Sequence, residues 1–256
     1  MPTIVVSNQK GGVGKTTTCI NLAAELGKRN YTVLVVDMDP QANCTSGLGV
    51  NASVLKKSLY DVLLGDAAPE DAILSTAWKG LSLLPSSLDL AGAEIELASV
   101  ISRETKLKRQ LEKVSGFDVV MVDCPPSLGI LTLNALTACD RLLVPIQCEY
   151  YALEGVGQLV RTVNLIRETL NPNLAVSGIL LTLYDSRTRL ANEVVEEVRR
   201  QFGDTVFETV VPRNVRLSEA PSYGAPIAYY EALSTGAQAY EALAKEVAER
   251  WLVQKP

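Results

Sequence analysis

Nine consecutive residues, Gln9-Lys10-Gly11-Gly12-Val13-Gly14-Lys15-Thr16-Thr17, carry the plainest chemistry in this sequence. Gly14, Lys15 and Thr16 fit the end of the pattern G-x-x-x-x-G-K-[ST], a loop whose backbone N–H groups cradle a polyphosphate. Gly11, Gly12 and Gly14 let those groups turn inward as an anion nest. A helix opening at Lys15-Thr16 adds the partial positive charge of its N-terminus. In that frame Lys15 reaches the β/γ-phosphates, the Thr16 hydroxyl ligates Mg²⁺ and Thr17 lies near the α-phosphate. The pattern's first glycine is replaced by Gln9, and a second lysine, Lys10, stands five residues before Lys15. One lysine serves an ordinary nucleotide pocket; the second requires another role.

Two acidic positions complete the set. Asp123 ends the apolar run Val119–Val122, where a Walker-B carboxylate holds Mg²⁺ through water. Asp37 and Asp39 follow Val33–Val36, and a carboxylate there is expected to face the phosphate loop, because ligands sit at the carboxyl ends of parallel strands. A single aspartate after a strand is often only a cap or turn former. Two such positions together with the loop form a constellation that capping explains poorly.

The elements that position these residues are legible as alternating strands and helices. Strands are predicted at Thr3–Ser7, Thr32–Asp37, Leu81–Leu84, Asp118–Asp123, Arg141–Ile146, Val176–Leu183 and Thr205–Thr209. Runs such as Val33-Leu34-Val35-Val36 are apolar at consecutive positions, as strands covered on both faces are. Cys19, Leu22, Ala23 and Leu26 form the stripe of a helix beginning near Thr16. Further helices are predicted at Ser102–Val114, Leu153–Thr169 and Leu190–Phe202, with a short one near Leu59–Leu64. The pattern predicts one doubly wound α/β domain over residues 1–256: a P-loop NTPase with a mostly parallel twisted sheet and helices on both faces.

Composition narrows the chemistry. The 256 residues are 47% hydrophobic and 21% charged, ordinary for a soluble globular protein. Lys+Arg 24 against Asp+Glu 29 gives a net charge of −5, so nucleic-acid contact requires a local basic patch. The absence of histidine excludes Ser-His-Asp and Cys-His catalysis and any histidine-ligated metal. Five cysteines without a C-x-x-C suit reduced cytosolic thiols. No apolar run approaches a membrane span, and no secretory signal is visible, so a cytoplasmic protein is expected.

On these residues the chain resembles the ParA family of partition ATPases, in its small chromosomal (Soj-like) type. The matching stretches are Asn8–Thr18, Val36–Gln41 with Asn43, Val122–Ser127 and Pro212–Pro221. The loop alone marks the wider class that includes MinD, nitrogenase iron protein and the arsenite pump ATPase. The resemblance implies ATP and Mg²⁺ as cofactors and a weak, partner-stimulated ATPase that dimerises on ATP. It implies that Lys10 crosses the interface of a nucleotide-sandwich dimer to the partner's phosphates. It assigns catalysis to Lys10, Lys15 and Asp39, with Asp39 in the first switch, where it positions the attacking water. The nucleotide would be held by Lys10, Gly11, Gly12, Val13, Gly14, Lys15, Thr16 and Thr17, with Pro212 and Asn214 beside the adenine. Mg²⁺ would be served by Thr16, by Asp123 through water and by Asp39 as a second water-mediated contact.

The same resemblance implies nonspecific DNA binding by the ATP dimer, a ParB-like activator, a nucleoid location and a role in chromosome or plasmid partitioning. Arg187, Arg189, Arg213 and Arg216 are the expected DNA contacts; Arg199 and Arg200 are better explained by Glu193, Glu196 and Glu197 on the same helix. The alternative is a ParA-like or MinD-like ATPase that positions another cargo: a microcompartment, a chemoreceptor array or the division machinery. A membrane-bound form would need a basic amphipathic C-terminal helix. Here Glu241, Glu246 and Glu249 accompany Lys245 and Arg250, so no membrane partner is expected. A bridging iron–sulfur cluster would need a second cysteine for Cys124, and Gly80–Ser102 has none.

Overall fold

The computed structural model describes residues 1–149 and 152–255, excluding the side chains of 152–156 and 158. Among the described residues eight strands form one sheet: β1 (Thr3–Val6), β2 (Val33–Asp37), β3 (Leu74–Ser75), β4 (Leu81–Leu84), β5 (Val119–Asp123), β6 (Arg141–Gln147), β7 (Val176–Tyr184) and β8 (Val206–Pro212). Their order is β3-β4-β2-β5-β1-β6-β7-β8, and every neighbouring pair is parallel except β3–β4. The helices are α1 (Lys15–Lys28), α2 (Asn43–Gly47), α3 (Leu59–Leu64), α4 (Pro69–Ala72), α5 (Leu90–Glu96), α6 (Lys106–Leu111), α7 (Ile130–Thr137), α8 (Ala152–Thr169), α9 (Arg189–Phe202), α10 (Val215–Glu219), α11 (Ile227–Tyr230) and α12 (Thr235–Trp251).

The consecutive apolar positions of the strands divide between two cores, because successive side chains point to opposite faces. Ile4, Val6, Val33, Val35, Val119 and Met121 pack with α1 and α12 on one face. Val5, Leu34, Val36, Val120 and Val122 pack with α3 and with α5 through α9 on the other. The predicted α1 stripe of Cys19, Leu22, Ala23 and Leu26 is fully buried. The short helix predicted at Leu59–Leu64 is present, opened by a reciprocal Ser58–Asp61 capping box and closed by Gly65 at φ 96°.

Three expectations change. The helix predicted over Ser102–Val114 is a 3₁₀ turn at Arg103–Thr105 followed by α6, entered through Ser102 at φ 55°. Asn134 of α7 sets that break: its Nδ2 donates to the Arg103 carbonyl and its Oδ1 accepts from Leu107 N–H. β3, two residues long and antiparallel, is too short to leave a periodic signal. β8 runs on to Pro212 instead of ending at Thr209, and the Glu246 carboxylate of α12 accepts from the Glu208 and Thr209 N–H groups along this edge strand.

Gly27 of α1 packs on the turn before β4, where an added Cβ would lie 2.2 Å from the Lys79 carbonyl oxygen. Gly27→Ala is therefore predicted to destabilise the fold by about 1–3 kcal/mol and to lower the melting temperature by roughly 3–10 °C. An unchanged melting curve in calorimetry would contradict this packing.

Candidate nucleotide-binding site

β1 lies between β5 and β6, so the loop leaving its carboxyl end emerges between their carboxyl ends. Side chains hold the loop in shape. Asn8 donates through Nδ2 to the Pro145 carbonyl at 2.8 Å and accepts from Lys10 N–H at 3.0 Å. Gln9, standing where the common pattern has glycine, donates its amide to Thr162 Oγ1 of α8 at 3.2 Å. Thr182 of β7 donates to the Val13 carbonyl at 2.9 Å. The Lys15 ammonium donates to the Lys10 carbonyl at 3.0 Å.

Gly12 and Gly14 have φ of 73° and 86°, the left-handed region that favours glycine. Gly14 opens α1 without a side-chain cap, which leaves the first helical N–H groups free to bind an anion. Val13 lies between these two glycines, and Thr16 and Thr17 lie in the first turn of α1. Gly11 is exposed, and a Cβ added there would meet nothing within 4 Å.

Sheet register brings the aspartates together, since Asp37 of β2 is the direct partner of Asp123 of β5. The Asp37 carboxylate is engaged by the segment that follows β2. It is fully buried and accepts from Thr45 N–H at 2.8 Å, Thr45 Oγ1 at 2.7 Å and Asp39 N–H at 3.1 Å. Its carboxylate thereby shapes the 39–45 segment. Burial pushes its pKa up to about 6, with the Thr45 donors opposing. Asp39 accepts from Gln41 N–H at 2.9 Å and is nearly buried.

Asp123 is different. It is fully buried, and apart from the nearby Thr16 hydroxyl neither carboxylate oxygen has a hydrogen-bond partner. Burial first, and then the Asp37 charge, hold its carboxyl well above the usual carboxylate range, with Thr16 and Lys15 pulling the other way. Burial also lowers the Lys15 pKa against the pull of Asp123, Cys124 and Asp39. A buried carboxylate without a partner marks a place for a cation. Among the described residues no three or more Cys, Asp or Glu side chains converge as a metal cage. Mg²⁺ does not need one, since it keeps waters and takes one or two protein oxygens beside substrate phosphates. The Thr16 hydroxyl and the Asp123 carboxylate suit that mode.

A cavity of about 160 Å³ opens beside the loop, lined in part by Gly14, Thr17, Leu183, Asn214, Ser218 and Tyr240. It places Asn214 near the α1 N-terminus, while Pro212 ends β8 outside the cavity wall. Asn214 also caps α10, accepting from Arg216 N–H, and donates to Thr235 Oγ1, both at 2.8 Å. Leu183 adopts φ 53° within β7, a strained conformation for a bulky residue. A larger cleft of about 630 Å³ shares Gln41 and Ala42 with the aspartate segment but no residue of the phosphate loop.

Arg187, Arg189, Arg213 and Arg216 lie at the carboxyl ends of β7 and β8, all well exposed. Each has a carboxylate partner: Asp185, Glu193, Glu149 and Glu219 respectively. Arg187, and more weakly Arg213, hold Asp185 down to about 2. Among the described residues no helix is long and apolar enough to cross a membrane. Asn8, Thr45, Thr182, Leu183 and Glu149 were not singled out from sequence. Only Asn8 carried a signal, its place beside the loop.

Asp123→Asn removes a buried ionisable group whose charged form burial penalises, and is predicted to raise the melting temperature of the nucleotide-free protein by roughly 2–6 °C. The same change should abolish the stabilisation by added Mg²⁺ with nucleotide. A lower nucleotide-free melting temperature would mean that Asp123 is already compensated.

Comparison with known proteins agrees with this geometry. The family model described as an AAA domain matches residues 1–176. Sporulation initiation inhibitor protein Soj of Bacillus subtilis is 54% identical over 96% of this chain and 97% of its own length. Chromosome partitioning protein ParA of Myxococcus xanthus is 50% identical over 99% of this chain and 90% of its own. Among solved structures, cobyrinic acid a,c-diamide synthase from Mycobacterium smegmatis with bound ADP and magnesium is similar at a TM-score of 0.86 and 42% identity, covering 98% of this chain and 95% of that one. Near-full-length identity to Soj and ParA, on a parallel sheet with a two-lysine phosphate loop, establishes that the chain belongs to the Soj/ParA family of chromosome-partitioning ATPases.

Proposed function

We propose that this chain, acting over residues 1–256 as one ATPase unit, is a weak ATPase that dimerises around ATP and binds DNA without sequence preference. A ParB-like partner then accelerates hydrolysis and releases it during chromosome or plasmid partitioning in the cytoplasm, on the nucleoid. The supporting observation is the lysine pair. Lys15 is buried and tied to the Lys10 carbonyl, while the Lys10 side chain is partly exposed beside the open Gly11. In this reading one lysine serves the phosphates of its own protomer, and the other those of a second copy.

In this reading the loop N–H groups and Lys15 bind the β/γ-phosphates, and Thr17 approaches the α-phosphate. Asn214 borders the adenine with Pro212 behind it. Thr16, with Asp123 through water and Asp39 as a further water-mediated contact, would hold Mg²⁺. Bound with ATP, that ion supplies neutralisation of the negative charge on the phosphate oxygens. Asp39 orients the attacking water. Lys10 from each protomer offsets the charge that two nucleotides bring to one interface. Hydrolysis weakens that interface and shifts the population back to monomer.

DNA contact by Arg187, Arg189, Arg213 and Arg216 requires exchanging their carboxylate partners for DNA phosphates. Binding should therefore be strongly salt-dependent, with log K falling by roughly 0.9 per phosphate contact for each tenfold rise in salt. The deciding experiment is DNA binding with ATP, ADP or no nucleotide across a salt series. ATP-dependent, sequence-independent binding is expected; equal binding in all three states would refute the switch.

Lys15→Ala should weaken nucleotide binding about 10- to 100-fold. Lys10→Ala should retain binding but lose the ATP dimer in sedimentation, whereas an undiminished dimer would contradict its role. Gly11→Val, whose added bulk meets open space in the monomer, should block the dimer without lowering the melting temperature. Asp39→Ala should accumulate as an ATP-bound dimer on DNA, and rapid turnover by that variant would remove its catalytic assignment.

A further inference from the structure

Lys10 is not idle on its own protomer. Its ammonium lies 3.7 Å from Glu149 Oε2, and the other oxygen of that carboxylate lies 3.7 Å from the Arg213 guanidinium. Glu149 follows β6, the strand beside β1, and Arg213 follows β8, so three neighbouring segments meet through one side chain. Glu149 is also oriented locally: its N–H donates to the Gln147 carbonyl, and the Gln147 amide donates to Glu149 Oε1. The Lys10 backbone is fixed at both ends, its N–H on Asn8 and its carbonyl on Lys15. Only the Lys10 side chain is left to move.

We propose that Glu149 is a positioning residue that latches Lys10 to its own protomer, so that dimer formation must first break the Lys10–Glu149 pair. Lys10 cannot serve Glu149 and a partner's phosphates together, because the carboxylate and the phosphates compete for one ammonium. The Gln147 amide, and Arg213 when DNA has not taken it, keep Glu149 in place after Lys10 leaves, so the latch can re-form when the phosphate charge is gone. The pair is half-exposed and therefore weak, which suits a contact made to be broken. An exposed ion pair changes an equilibrium by up to about fivefold, and two latches open per dimer, so their effect multiplies to about 2- to 25-fold. Glu149 thus sets the ATP and protein concentration at which dimers appear, without touching the nucleotide of its own protomer. This inference rests on the sandwich reading of Lys10 given above.

Two measurements test it on the full chain. In nucleotide-free protein, the acylation rate of the Lys10 amine, read by peptide mass spectrometry, should rise several-fold in Glu149→Gln and return toward wild type in Glu149→Asp. With a slowly hydrolysed ATP analogue and Mg²⁺, sedimentation should give a dimer dissociation constant about 2- to 25-fold lower for Glu149→Gln. In the Lys10→Gln background the same substitution should change neither dimerisation nor the labelling of other lysines. Unchanged Lys10 labelling, a weaker dimer in Glu149→Gln, or an equal gain in the Lys10→Gln background overturns the latch. Absence of a dimer in every variant overturns the sandwich reading and with it the latch's effect on assembly, while the labelling result still decides the contact itself.

Discussion

Two carboxylates placed side by side in a buried sheet dominate the energetics of this site. Parallel register makes Asp37 and Asp123 direct partners on β2 and β5, both without solvent. Like charges at such a spacing in a poorly solvated place repel strongly, and each must find a donor, a proton or a cation. Asp37 finds donors in Thr45 and in the Asp39 backbone. Asp123 has only the Thr16 hydroxyl and the Lys15 charge, and burial outweighs both. The difference divides their work: Asp37 folds the segment that carries Asp39, and Asp123 leaves an open electrostatic requirement at the phosphate loop.

The surrounding architecture serves that requirement. β1 between β5 and β6 brings the loop to the edge where Asp123 ends, and α1 begins there with free N–H groups. Lys15 is the cation whose charge bears on Asp123, yet its own burial lowers its pKa. The loop is pre-shaped by Asn8, Gln9 and Thr182. Such preorganisation lessens the ordering cost that binding would otherwise carry. The same restraint leaves the Lys10 side chain as the movable charge at the mouth.

Much of this was legible before the structure. The apolar runs of β2 and β5 signalled strands covered on both faces, and the two cores divide their side chains in strict alternation. The glycines, Lys15, Thr16 and Asp123 stand where motif spacing placed them. What escaped were contacts made across long sequence separations. Asn134 breaks the helix before α6 from α7, and Thr182 holds the Val13 carbonyl from β7. Neither residue type announces such a role, because a polar side chain inside a helix or strand pattern reads as surface or core until its partner is known. Asp37 shows the same limit: nothing beside it in sequence points to Thr45, which folds back eight residues later to donate to its oxygens. Glu149 carried no signal, since its meaning comes from two cations brought to it by strand order.

The most direct measurement is the melting temperature of the wild-type chain with Mg²⁺ alone, ATP with a chelator, and the two together. If Asp123 and the loop await a cation and a polyphosphate as one unit, the pair should stabilise far more than the sum of its parts. ATP with chelator stabilising the chain as strongly as ATP with Mg²⁺ would show that the buried carboxylate is satisfied in some other way.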